Sequence, residues 1–220
     1  MDLDGLREGV QRIAHEIWSS GAVHVLDHCP QTKVWKTRPP EPDLAGLRDR
    51  ALLLVGFFAA LRRSELAALR VEEISAHDRG LVLTLPRSKT NQRGEEHELV
   101  VLPRAGRRAH CPVTAVQTWL DAAGIADGPV FRKISRGNRV LDRALHPESI
   151  NDLVQAAVAR AGLPGGPFSA HSLRAGFVTY AHLRGASDRA IAHQTGTARW
   201  PPSGRVETAW QDNAATQLGL

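Results

Sequence analysis

A mainly α fold of the α+β class, helices with a small antiparallel β-sheet, is what this sequence predicts. Three observations carry that expectation. Apolar residues recur at helical spacing in segment after segment between Asp43 and Gly196. Most of those segments carry a start or stop signal. Two β-like runs, LVLTL at 81–85 and HELVVLP at 97–103, flank one polar turn, RSKTNQRGEE.

Residues 1–42 are expected to form an irregular N-terminal segment or linker. Residues 3–18 suggest a short helix, but HVLDHCPQTKVWKTRPPEP has no period and ends in prolines. Order begins with DLAGLRDRALLLVGFFAALR. Its apolar positions 44, 47, 51, 54, 55 and 58 form a stripe that broadens into a buried helix, with Asp43 as candidate N-cap and Arg62 closing the segment. RRSELAALR restarts a short helix with Ser64 as candidate cap. After the β-ribbon, CPVTAVQTWLDAAG reads as a helix ending at Gly124, and HPESINDLVQAAVARAGL as one ending at Gly162. SAHSLRAGFVTYAHLRGA and SDRAIAHQTG follow, the second capped by Ser187 and stopped by Gly196. There are no internal repeats. The pattern then fails: QTGTARWPPSGRVETAW, at 194–210, has no apolar period and holds two adjacent prolines.

The chain has 220 residues, which suits one domain or a domain with an appendage. No apolar run approaches the roughly 20 residues that span a bilayer, so no membrane partner is expected. MDLDGLREGVQRIAHE has no signal-peptide core, and the cytoplasm is the expected location. Cys29 and Cys111 match no metal spacing and read as reduced structural thiols. The formal charge of +5 comes from arginine far more than lysine. Arginine's planar fork suits phosphate bidentately, so nucleic acid is the first partner to consider.

Four basic residues occur in a suggestive order. Arg62 lies in ALRRSEL, Lys89 on the polar turn in RSKTNQ, and His171 and Arg174 in HSLR at the start of a helix. The i, i+3 spacing of the last two puts them on one helix face. Two arginines, a lysine and a histidine, with no carboxylate cluster for a metal, suit a phosphodiester. Arginines can neutralise the equatorial oxygens of a phosphorane, a lysine can protonate a leaving oxygen, and a histidine can move protons. Each residue also has a plainer reading: Arg62 as a helix-end cation, Lys89 as an exposed hairpin lysine, His171 as a helix-start residue, Arg174 as a surface arginine.

The segments DLAGLRDRALLLVGFFAALRRSELAALRVEEI, LPRSKTNQRG, CPVTAVQTWL, HSLRAGFVTYAHLRGASDRAIAHQTG and DNAATQLGL together resemble the catalytic domain of tyrosine recombinases, the phage-integrase family. The resemblance covers 43–220. It implies a mainly α catalytic domain with a small β-sheet, which cuts and rejoins duplex DNA at specific sites, typically for phage or mobile-element integration. In that family a tyrosine attacks the scissile phosphate and forms a 3′-phosphotyrosyl link, with no metal or other cofactor. By motif, Arg62 matches the first arginine, Lys89 the β-hairpin lysine that acts as general acid, and His171 and Arg174 the His-x-x-Arg pair. Arg62, Lys89 and Arg174 would therefore contact DNA. Glu65 resembles a buried structural acid beside the first arginine. The tail TAWQDNAATQLGL resembles the segment that docks between protomers, so other recombinase protomers are a second expected partner.

The match fails in three places. The family's Gly-His is here Gly196-Thr197. The region of its tyrosine reads Gly204-Arg205-Val206, and Pro201-Pro202 cannot continue the helix that would carry it. The core-binding domain is expected to be missing, because residues 1–42 are too few for it. The chain's one tyrosine, Tyr180, lies nine residues after His171 and reads as a core-edge aromatic, so no nucleophile is assigned. Arg205 and Thr197 cannot replace a phenol, and Ser203 has no evident base. The expectation is a family member that does not cleave DNA. A non-catalytic DNA-binding module and a recombinase-interacting remnant are the alternatives. A type IB topoisomerase shares the residue set, but HSLRAGF and the tail look far more like integrases.

A shifted reading frame would account for the anomaly, and real divergence is the alternative. One permitted encoding of residues 196–204, read in the neighbouring frame, spells His-Arg-Ser-Met-Ala-Thr-Leu-Arg directly after Gln-Thr-Gly. The Trp200 codon and the first two bases of the Thr, Ala, Pro and Gly codons are fixed whatever encoding is chosen. One base lost near Gly196 and a compensating change near Arg205 would remove both the second histidine and the tyrosine. The nucleotide sequence of the locus should therefore regenerate Gly-His and a continuous helix on a single-base correction. If no single-base change does so, this account is wrong.

Overall fold

The computed structural model describes residues 43–85, 98–105, 111–160 and 168–197. The expected helix at 3–18, Cys29, the turn bearing Lys89, the stop at Gly162 and everything from Ala198 onward lie outside the described residues.

Helix α1, Leu44–Phe58, starts where Asp43 accepts a hydrogen bond from the Ala45 amide at 3.2 Å. Its apolar face is wider than a simple stripe, because Ala51, Leu52, Val55, Phe57 and Phe58 are all buried. Arg48 and Asp49 are buried too, which their polarity did not announce. They form an ion pair with N–O distances of 2.7 and 2.9 Å, so neither charge is left uncompensated. Burial pushes the Asp49 carboxyl up, and Arg48 holds it down. Arg48 also donates to the Arg132 carbonyl at 3.3 Å.

The chain leaves α1 at Ala59, and Ala60 adopts φ 51°, a left-handed conformation uncommon for a residue with a Cβ. Arg62 therefore does not close α1. It is the N-cap of a new helix, α2, Arg63–Ala68. Ser64 is exposed inside that helix and does not cap it. Glu65, at the third helical position, instead reaches back and accepts a hydrogen bond from the Arg62 amide at 2.7 Å. After a 3₁₀ turn at Val71–Glu73 come β1, Ile74–His77, β2, Gly80–Leu85, and β3, Glu98–Pro103. They form an antiparallel sheet in the order β1-β2-β3, with Leu85 opposite Glu98. The sequence marked only β2 and β3. ISAH, with its ends half-buried and its middle exposed, carries no apolar alternation to reveal it.

Helix α3, Pro112–Ala123, begins with proline at its first position and ends at Gly124, whose φ of 61° suits a residue without a side chain. Trp119 is wholly buried and donates its indole N–H to the Val130 carbonyl at 2.8 Å. Cys111 is a buried free thiol, as expected. A hairpin of β4, Arg132–Ile134, and β5, Val140–Ala144, then intervenes, turning through Asn138 at φ 54°. The sequence reading did not foresee it. Three helices complete the described chain: α4, Pro147–Arg160, α5, Ala170–Leu183, and α6, Asp188–Gln194. The Ser187 hydroxyl caps α6 by accepting from the Ala190 amide at 3.2 Å, and Gly196 ends it at φ 62°.

The core gathers around α1, which packs on α3 and α5. Phe57 meets Phe58 and Phe177 edge-on, with ring centroids 5.3 and 6.2 Å apart. The C-terminal end of α6 is clamped by a buried amide: Gln194 donates to the Phe58 carbonyl at 2.8 Å and to the Val101 carbonyl at 2.9 Å. One side chain thus fixes the ends of α1 and α6 against β3. No helix among the described residues is long and apolar enough to cross a membrane.

Candidate functional site

The break between α1 and α2, the start of β3, the first turns of α5 and the end of α6 converge on one charged cluster. Arg174 stands at its centre. One guanidinium nitrogen donates to the Ala60 carbonyl at 2.7 Å and the other to the Thr195 carbonyl at 2.5 Å. The left-handed turn at Ala60 aims its carbonyl at this side chain. Both acceptors are neutral, so the positive charge of Arg174 stays available to an anion.

Arg62, two residues beyond Ala60, is held by Glu65. The carboxylate takes the Arg62 side chain at 2.5 Å with one oxygen and the Arg62 amide with the other. Glu65 is less exposed than the guanidinium it holds. Arg62 and Arg174 lie close enough to repel. Burial lowers the proton affinity of Arg174, and Arg62 lowers it further, while Glu65 and Glu98 work the other way.

Glu98, at the start of β3, is a member of this cluster that sequence reasoning missed. Its carboxylate rests against the Cα of Gly196: a Cβ built there would lie 1.5 Å from one oxygen and 2.8 Å from the other. Burial pushes the Glu98 carboxyl up and Glu65 adds to the effect, while Arg62 and Arg174 hold it down. In sequence Glu98 is one acid among GEEHELVVLP, and only the packing of α6 on β3 distinguishes it.

The four sequence-predicted residues fare differently. Arg62 and Arg174 come together. His171 is exposed at the start of α5, one turn before Arg174 on the same helix. Lys89 lies outside the described residues. Thr197 directly follows Gly196 and its hydroxyl donates to the Ala192 carbonyl at 3.1 Å. Tyr180 packs elsewhere, with its ring centroid 5.9 Å from that of Phe57 and the Arg184 guanidinium 5.9 Å from it. Six residues separate it from Arg174, about 9 Å along the helix axis. Burial pushes its phenol up, against the ionisation that attack on phosphorus requires. An open groove of about 750 Å³ runs from Arg174 between α5 and α6, past Val178, Thr179, Ile191 and Thr197. Among the described residues no group of His, Cys, Asp or Glu is placed to hold a metal ion.

The family model described as "Phage integrase family" matches residues 37–199. An integrase/recombinase xerD homolog of Selenomonas ruminantium is 37% identical over 155 residues, covering 70% of this chain and 45% of the relative. A tyrosine recombinase XerC of Pelobacter propionicus is 33% identical over 175 residues, covering 79% of this chain and 51% of the relative. The chain thus spans about half the length of the curated relatives it matches. Among solved structures, the XerH site-specific recombinase in a pre-cleavage complex with difH substrate superposes with a TM-score of 0.56 at 16% identity, covering 88% of this chain and 47% of that one. The integrase from mycobacterium phage Brujita gives 0.52 at 21% identity, covering 90% and 55%. These structural likenesses carry the fold: a mixed, mainly helical domain with small antiparallel sheets.

A side chain at residue 196 would meet both a positive φ and the Glu98 carboxylate, which would have to swing aside. Gly196→Ala should destabilise the domain by more than about 1 kcal/mol, because alanine fits neither the positive φ nor the space. Urea unfolding measures this, and an unchanged midpoint would overturn the left-handed turn at Gly196.

Proposed function

This chain belongs to the phage integrase family of tyrosine recombinases, and we propose that residues 43–220 are its catalytic domain, retaining the phosphate-holding half of the site and lacking the nucleophile. The observation that carries this reading is the convergence of Arg62 and Arg174. Two guanidinium groups that repel one another, one of them bonded among the described residues only to neutral carbonyls, form a place where a phosphodiester anion is welcome.

In this reading the partner is duplex DNA. Arg174 presents its remaining N–H groups to one non-bridging oxygen of the phosphate. Arg62, oriented by Glu65, presents its own to the other. His171 lies one turn away on the exposed side of α5, where it can exchange protons with the phosphate or with solvent. Lys89 is assigned the general-acid role on its resemblance alone. In an intact relative a tyrosine would add through its oxygen to phosphorus, expel the 5′ oxygen and leave a 3′-phosphotyrosyl ester. The leaving oxygen takes its proton from the general acid, and a 5′ hydroxyl later reverses the step. Tyr180, the chain's single tyrosine, is turned into the aromatic cluster and cannot take that part. The site holds DNA without opening it.

A nicked suicide substrate incubated with the chain should give no covalent protein–DNA adduct on a denaturing gel. An adduct at any residue would overturn the assignment. Binding of a short duplex should weaken steeply with added salt. Arg62→Ala and Arg174→Ala should each weaken it across all sequences and reduce the salt slope by about 1. Salt-insensitive binding, or substitutions that leave it unchanged, would place the DNA contact elsewhere.

A further inference from the structure

We infer that Glu98 couples DNA binding to proton uptake: a backbone phosphate at Arg62 and Arg174 is held best when the Glu98 carboxylate has gained a proton from solvent. The inference rests on the DNA-binding reading above and adds a residue to it.

The geometry comes first. Glu98 and Arg174 meet the same turn from two sides. Arg174 holds the Thr195 carbonyl, and the Glu98 carboxylate lies on the adjacent Gly196. Glu98 has no ion pair among the described residues, whereas Glu65 is engaged by Arg62 through both oxygens. The cluster therefore contains two guanidinium groups and two carboxylates within electrostatic reach of one another. Its charges already balance. A phosphodiester adds one more negative charge, in a setting partly removed from water. Of the two carboxylates only Glu98 is free to relieve this, by becoming a neutral acid.

Its environment prepares it for that change. Burial and the Glu65 charge already favour its protonated form, so a nearby phosphate starts from a carboxyl raised above the ordinary range. The neutral acid also gains an O–H that can donate to the phosphate. The sign follows from linkage. An anion that raises a neighbouring carboxyl's proton affinity binds more tightly as pH falls, by up to tenfold per pH unit for one proton.

Other charged and ionisable groups lie around the cluster and must be separated from Glu98. Helix α2 contributes Arg62 and Glu65, α5 contributes Arg174 and the exposed His171, and α6 contributes the buried His193. A pH slope in the unmodified chain alone therefore proves nothing about Glu98.

The test is binding of one short duplex by the full chain and by Glu98→Gln, at fixed ionic strength, from about pH 8 to about pH 5.5. Glutamine keeps the shape and removes the titration. The unmodified chain should bind more tightly as pH falls. Glu98→Gln should bind more tightly than the unmodified chain at the upper end and show a shallower slope. Calorimetry in buffers of different ionisation enthalpy should find fewer protons taken up by Glu98→Gln. Glu98→Asp, which restores a titrating carboxylate, should recover the slope, and urea midpoints confirm that the variants are folded. Parallel slopes and equal proton uptake in the full chain and Glu98→Gln would overturn this role while leaving DNA binding intact. Failure of the unmodified chain to bind the duplex at low salt at any pH would overturn both.

Discussion

A half-buried guanidinium bonded to two carbonyls organises this domain's charged face. Arg174 reaches back from α5 to Ala60 and forward to Thr195, so one side chain ties the α1–α2 break to the end of α6. Carbonyls, unlike a carboxylate, fix its position without neutralising it. A buried arginine with a carboxylate partner would form a closed ion pair, with little field left for a ligand. Held as it is, Arg174 makes no direct ion pair among the described residues, and its charge sits in a partly dry place, where it acts more strongly than it does in water.

The scaffold is built to tolerate that. Ala60 accepts a left-handed backbone to aim its carbonyl, and such strain survives only where surrounding packing fixes it. Ala59, Ala60 and Leu61 are buried, and Gln194 bonds the Phe58 carbonyl just before them. The same amide bonds Val101, so the strand that begins with Glu98 is held in register with the helix that ends at Gly196. The site's parts come from segments far apart in sequence, and the core around α1 is what brings them together.

Much of this was legible in the sequence where the signal is local. Asp43, Gly124, Ser187 and Gly196 act at helix ends through their own hydrogen bonds or backbone freedom, and each stands where its type predicted. Arg62 and Ser64 were misread because the chain between Phe58 and Arg63 breaks at alanines, which carry no turn signal. The cap there is supplied from within the helix by Glu65. The β4–β5 hairpin escaped because its strands are short, partly exposed and rich in arginine, so no period-2 apolar pattern marks them. Arg48 and Asp49 look like surface residues until their mutual pairing and the Arg132 carbonyl make burial affordable. Glu98 was invisible for a deeper reason: its partner is the absence of a side chain at residue 196, nearly a hundred positions away.

Where the family match stops bears on function more than on fold. The core, the sheet and the Arg62–Arg174 pair are all specified before Thr197, and the match to the family model ends at Arg199. A change that damaged the fold would show as missing apolar positions or broken caps earlier in the chain, and α5 and α6 carry neither. The arginine pair needs only α1, α2, α5 and the Gly196 turn, whereas in the proposed reading the nucleophile would need a further helix beyond it. In the proposed reading, holding a phosphate and attacking it therefore depend on different stretches of this chain.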